Sequence, residues 1–187
     1  MTIVNEIIDD TKERMQKSVD ALNRDLSAVR TGRASTGLIE NITVDYYGTP
    51  TPLGQLSSIT VPEARTIVIQ PWDKDSLGEI EKSISQSQTG LVPNNDGSII
   101  RISVPELTEE RRREMVKMVG GMVEQGHVSV RNIRRDSLES FRTLEKDKDI
   151  SQDESRKAQE DLQKVTDTFI AKMDGLKSDK EKEVMEV

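Results

Sequence analysis

"LTEERRREMVKMVGGMVEQGHVSVRNIRRDSLESFRTL", Leu107 to Leu144, decides the fold. Its apolar seam runs at steps of three and four through Met115, Val119, Met122, Gly126, Val130 and Ile133 toward Phe141 and Leu144, as in a helix packed in a bundle. Thr108 is placed to cap its start, with Glu109 and Glu110 in the first turn, where acids suit the helix dipole. The same pattern recurs on both sides. Ile8, Met15, Val19, Leu22, Leu26 and Val29 make the seam of a first long helix. "SQDE", Ser151 to Glu154, is a capping box opening a last one, whose seam is Ala158, Leu162, Val165, Phe169, Met173 and Leu176. Three helices of about 28 to 38 residues, at 1.5 Å per residue, form a rod roughly 40 to 57 Å long.

Between the first two helices the pattern changes. The seam stops at "RTGRAST", Arg30 to Thr36. "NITVDYYG" then alternates Ile42, Val44 and Tyr46, "TIVIQ" is a β-branched run, and "SIIRISV" follows the turn "NNDG". "DSLGEIEKSISQSQ" reads as a short helix with Leu77, Ile80 and Ile84 on one side. The expected class is therefore α+β. Residues 1–29 and 106–187 form an elongated three-helix bundle, and residues 30–105 form a small inserted β-rich domain. The chain crosses between them near 30–33 and 104–106, and two short crossings make a hinge.

Composition fits this division. With 33% hydrophobic and 3% aromatic residues, the 187-residue chain is lean for two conventional cores, whereas long helices need only a narrow apolar stripe. The absence of cysteine removes disulfides, thiolate metal sites and thiol nucleophiles. "MTIVNEIIDD" carries acid where a secretion signal carries a basic stretch, and no 18-residue apolar run occurs, so a cytoplasmic protein with no membrane partner is expected.

Against a net charge of -7, the stretch Arg111 to Arg142 holds eight lysines and arginines and four acids, including seven of the chain's 14 arginines. At 100° per residue from Arg131, Arg134 falls at about -60°, Arg135 at about +40° and Arg142 at about +20°; Arg113 and Lys117 fall between about 0° and 40°. His127, at about -40°, lies on the same face by this reckoning, and Leu138, at about -20°, lies in its middle. The seam residues cluster on the other side. A charged stripe on a helix is ordinarily a solvated face. Three features favour docking to a sugar-phosphate backbone: arginine dominates over lysine, acids are few, and an apolar residue sits within the stripe.

Catalysis finds no support. One histidine, no cysteine, no GxxxxGK[ST] loop and no metal-ligand cluster leave only carboxylates spaced along helix exteriors, so no catalytic residue, metal or cofactor is expected. Tyr46, Tyr47 and Trp72 are read as packing residues of the small domain rather than base-stacking platforms. Two rival classes remain on the residues alone: a coiled-coil adaptor or holdase that binds proteins along its rods, and a hydrolase within the β-rich domain. The second lacks paired acids.

Four motifs, in order, carry a resemblance: "RTGRAST"; "YYGTPTPLGQLSSITVPEARTIVIQPWDK", Tyr46 to Lys74; "LTEERRREMVK"; and "VSVRNIRRDSL". With "VPNNDG" and the closing "DLQKVTDTFIAKMD", they resemble the ribosome recycling factor family essentially end to end. The resemblance implies an L-shaped, tRNA-like fold, a three-helix bundle carrying a β/α/β domain on a hinge. It implies a non-enzymatic, monomeric factor of the bacterial cytosol that binds large-subunit rRNA after termination. With elongation factor G, whose GTP belongs to that partner, it would split the subunits and release mRNA and tRNA. It also implies that Arg131, Arg134 and Arg135 contact rRNA, that Arg30 and Arg33 do so near the hinge, and that Gly32, Val104 and Pro105 belong to the hinge. His127 stands where the family usually has lysine or arginine, and Thr36 and Gly37 where it has proline and a larger residue. Gly120, Gly121 and Gly126 in a helix interior each cost about 1 kcal/mol relative to alanine, which points to close packing or bending there.

Overall fold

The computed structural model describes residues 2–186. Contacts divide it into two compact units, one running to Leu26 and including Lys117–Lys182, the other comprising Ser27–Val116 and the residues from Glu183 on. Four helices, α1 (Ile3–Ser27), α2 (Leu77–Gln86), α3 (Glu109–Lys146) and α4 (Gln152–Met185), accompany six strands, β1 (Thr43–Tyr46), β2 (Thr49–Pro52), β3 (Ser57–Glu63), β4 (Thr66–Pro71), β5 (Pro93–Asn95) and β6 (Ile100–Ser103). This is the expected α+β class, a helical bundle with a small antiparallel β domain.

In the first unit, α1, α3 and α4 bury most of the expected stripe; Leu144, Val165 and Leu176 are only half-buried, as is Met115, and Val29 lies beyond the end of α1. Two further differences have a physical cause. Val123 rather than Met122 is buried on α3, because a straight helix drifts from a strict heptad. Between Ile8 and Met15, where the apolar steps skip to seven, Thr11 fills the seam. Its Oγ1 lies 2.6 Å from Ser137 Oγ on α3, and both residues are buried. Each hydroxyl is also within reach of the carbonyl four residues earlier, Ile7 at 2.6 Å for Thr11 and Ile133 at 3.1 Å for Ser137. With one proton each, one hydroxyl donates to its carbonyl while the other donates across to it, so both protons of the buried pair are used. Beside it, Ile8, Phe141, Ala158 and Leu162 form an apolar cluster.

Both helix starts are built from the residues that signalled them. Thr108 Oγ1 accepts from Arg111 N at 3.2 Å. Ser151 and Glu154 complete a reciprocal capping box: Ser151 N donates to Glu154 Oε2 (2.8 Å) and Glu154 N to Ser151 Oγ (3.2 Å). The backbone N–H and then the hydroxyl of Ser151 hold the Glu154 carboxyl below its ordinary pKa.

The second unit pairs a β1–β2 hairpin with a four-stranded antiparallel sheet in the order β3-β4-β6-β5. Strands β2, β3 and β5 go beyond what the residue pattern indicated, since prolines at 50, 52, 62 and 93 obscure them; β2, β3 and β5 each have a single partner strand, where proline is tolerated. Leu77, Ile80 and Ile84 of α2 are buried with Val44, Leu53, Ile67, Ile69, Ile100 and Ile102, in a core whose buried members are all aliphatic. The expectation that Tyr47 and Trp72 pack inside is overturned: they are 76% and 71% exposed. Tyr47 occupies the two-residue hairpin turn at φ 49°, followed by Gly48 at φ 82°, so its side chain leaves the sheet. The Tyr46 and Tyr47 hydroxyls both donate to Asp73 Oδ2.

Candidate nucleic-acid interface

The α3 stripe comes from helical phase alone. With Val119, Val123, Val130, Ile133 and Phe141 buried, the residues half a turn away are driven outward. Lys117, Arg131, Arg135 and Arg142 are exposed and Arg134 is half-buried. Their partners differ. Arg131 Nη1 lies 3.2 Å from Glu124 Oε1, and Arg142 Nη1 lies 3.7 Å from Glu139 Oε2. Arg135 Nη2 donates to the neutral Asn132 Oδ1 at 2.6 Å. Arg134 has no carboxylate within ion-pair distance among the described residues, which leaves its planar fork available to a phosphate.

The other candidates belong to the second unit. Arg113 is exposed and pairs with Glu109 one turn earlier. Arg33 Nη1 lies 3.4 Å from Glu186 Oε2. Arg30 is half-buried, its Nη2 donating to the Pro105 carbonyl at 3.1 Å while its buried Nε has no hydrogen-bond partner among the described residues. The expected hinge residues also lie here. Gly32 adopts φ +82°, Val104 is 1% exposed with its N–H donating to the Arg65 carbonyl, and Pro105 receives Arg30. Arg112 Nη1 donates to the Val184 and Glu186 carbonyls and so closes the end of α4.

Two members of the expected surface are not on it. Leu138 is half-buried and packs against the Ile8–Phe141 cluster. His127 is only 15% exposed and faces α4, its Nε2 3.0 Å from Asp174 Oδ1, while Nδ1 lies 3.5 Å from Glu124 Oε2. The Nε2–Asp174 approach is close in distance but out of line for a hydrogen bond, so it is an electrostatic contact. Gly126 explains the position of the ring: a Cβ there would stand 3.0 Å from Met173 Sδ and 3.4 Å from Leu22 Cδ2, so its absence lets three helices close together beside His127. Gly120 and Gly121 face open space, with no packing role of this kind.

Glu124 is the residue that the sequence reading passed over. It falls at about +20° on the same wheel, two turns before Arg131, and that phase was the available signal. Asp174 had none, because its approach depends on how α4 packs.

Among the described residues no group of three histidine or acidic side chains is placed to hold a metal, and no helix is long and apolar enough to cross a membrane.

Comparison with known proteins agrees in sequence and in fold. The family profile described as "Ribosome recycling factor" matches residues 22–185. A "Ribosome-recycling factor" of Bacillus velezensis is 53% identical over 183 residues, covering 98% of this chain and 99% of that one. One from a Geobacillus species is 55% identical over 185 residues, covering 99% and 100%. Among solved structures, the "Solution structure of the ribosome recycling factor" superposes with a TM-score of 0.78 at 41% identity, covering both chains fully. A second, at TM-score 0.68, 43% identity and full coverage of both chains, describes a Thermus thermophilus ribosome recycling factor and the Escherichia coli elongation factor G bound to the E. coli post-termination complex.

Proposed function

This chain belongs to the ribosome recycling factor family, a family of non-enzymatic translation factors, and we propose that it binds large-subunit rRNA through the outward arginines of α3. Arg131, Arg134 and Arg135 form the centre of that contact, Lys117 and Arg142 extend it, and Arg113 continues the same helical phase. Arg30 and Arg33 contact rRNA near the crossings. Residues 1–29 with 106–187 act as the arm that docks. Residues 30–105 form the domain that elongation factor G, carrying its own GTP, swings about Gly32, Val104 and Pro105. The subunits then part, and mRNA and tRNA leave.

The observation that carries this reading is the concentration of exposed arginine on one phase of α3 in a chain of net charge -7. Such a distribution presents one face to a polyanion and repels it elsewhere. The test is subunit splitting followed by light scattering, with post-termination ribosomes, elongation factor G and GTP. The intact chain splits them, and Arg134→Ala together with Arg135→Ala needs more than tenfold higher concentration for half-maximal rate. Equal activity of the double variant would remove the stripe from the mechanism.

A further inference from the structure

We propose that Asp174, His127, Glu124 and Arg131 form one charge array in which the protonation of His127 controls how freely Arg131 can engage a phosphate. The proposal rests on the reading that Arg131 meets rRNA.

The array joins two helices. Asp174 on α4 lies 3.0 Å from His127 Nε2 on α3, His127 Nδ1 lies 3.5 Å from Glu124 Oε2, and the other oxygen of Glu124, Oε1, lies 3.2 Å from Arg131 Nη1. One carboxylate is therefore shared between the imidazole and the arginine. Within the Arg131, Arg134 and Arg135 trio, only Arg131 carries a carboxylate partner among the described residues. At 58% and 61% side-chain exposure, that pair contributes little to stability. Its consequence is local: a carboxylate within the stripe cancels one of the charges meant for the anion.

The groups facing the ring account for the switch. From α3 these are Glu124 and, beyond it, Arg131; from α4, Asp174. From α1 the neighbour at this level is the apolar Leu22, and no α1 carboxylate lies within ion-pair distance of the ring among the described residues. With a neutral ring, the four groups sum to one negative charge, and Glu124 is committed to Arg131. With a charged ring they sum to zero, and Glu124 stands between two cations, so its hold on Arg131 weakens. Binding a phosphate then favours proton uptake. By linkage, affinity rises as the ring takes up its proton and falls as the ring loses it. His127 and Glu124 are positioning residues here, acting through Arg131.

Two measurements test this. In the free protein, NMR follows the single imidazole, the Glu124 carboxylate carbon and the Arg131 Nε–H between pH 8 and 6. The three move together in the wild type, and the last two stay still in His127→Gln. Binding to purified large subunits is then measured over the same range. The wild type tightens roughly three- to tenfold relative to His127→Gln, and its salt slope steepens by up to about one phosphate contact. His127→Lys holds the tight, steep behaviour at every pH. Glu124 and Arg131 signals that ignore the imidazole, or parallel binding profiles for wild type and His127→Gln, would overturn the proposal. Coupled signals in a protein that binds no subunits at any pH would support the array and instead overturn the rRNA reading.

Discussion

The bundle and the β-rich unit stabilise themselves with different materials. The bundle buries both phenylalanines, Met15, Met173 and a hydroxyl pair, whereas the buried apolar side chains of the β-rich core are all aliphatic, with Tyr46 packed at its margin and Tyr47 and Trp72 outside. A long helix fixes burial by phase, so even threonine and serine are carried inside and must find each other. A small sheet fixes burial by which strands pair, and its short layers are filled by isoleucine, leucine and valine. Buried hydroxyls meet across helices in the bundle, whereas in the β-rich unit the buried Ser57 donates to the carbonyl of Leu53 four residues earlier.

Truncating one core residue in each unit gives the largest expected effects. Phe141→Ala, at a fully buried site, costs about 3–5 kcal/mol, and Ile67→Ala in the sheet about 2–5 kcal/mol. Urea titration read by circular dichroism measures both. One shared transition shifted by either variant means that the units unfold together, and two transitions mean that each unit stands alone.

The hydroxyl pair sharpens the contrast. Thr11→Val leaves Ser137 without its cross-helix partner and costs about 1–3 kcal/mol, while the double variant Thr11→Val with Ser137→Ala costs less than the sum of the singles. Additive losses in a double-mutant cycle would mean that the contact contributes nothing.

Glycines divide in the same way. A Cβ on Gly37 would lie 2.8 Å from Ser27 Cβ and 2.9 Å from its carbonyl oxygen, so Gly37→Ala destabilises by about 1–3 kcal/mol. Gly120→Ala and Gly121→Ala enter open space and raise the melting temperature, each stabilising by up to about 1 kcal/mol. A loss at either would mean that α3 needs the flexibility.

The smallest effect is on acid stability. Asp73 is held below the ordinary carboxylate pKa first by the Asp75 backbone N–H and then by the Tyr47 hydroxyl, and Asp96 by the Ile99 and Ser98 backbone N–H groups. A lowered folded pKa means stability that is present above the unfolded value, near 4, and is lost as pH falls through the folded one. Asp96→Asn therefore flattens the acid limb of the melting curve, and an unchanged limb would show that the turn contributes nothing.

How much was legible follows from these differences. The seams of α1, α3 and α4, the Thr108 cap and the Ser151–Glu154 box were readable because each depends on residues within a turn or two. Thr11 was missed because its partner is 126 residues away. His127 and Leu138 were placed outside because a 100° wheel gives direction but not the width of the groove that α4 fills. Tyr47 was misplaced because a hairpin turn with positive φ is usually signalled by asparagine or aspartate before glycine, and here the signal is Tyr-Gly. Gly37, a departure from the family pattern, has a local cause in its contact with Ser27.

The central claim is that the outward arginines of α3 meet rRNA, and co-sedimentation with purified large subunits at low and fourfold higher salt tests it most directly. With about four phosphate contacts, the intact chain weakens by roughly two orders of magnitude across that change, and Arg134→Ala binds less tightly with a shallower slope. Binding that ignores both salt and Arg134 would contradict the account and favour a protein-binding adaptor.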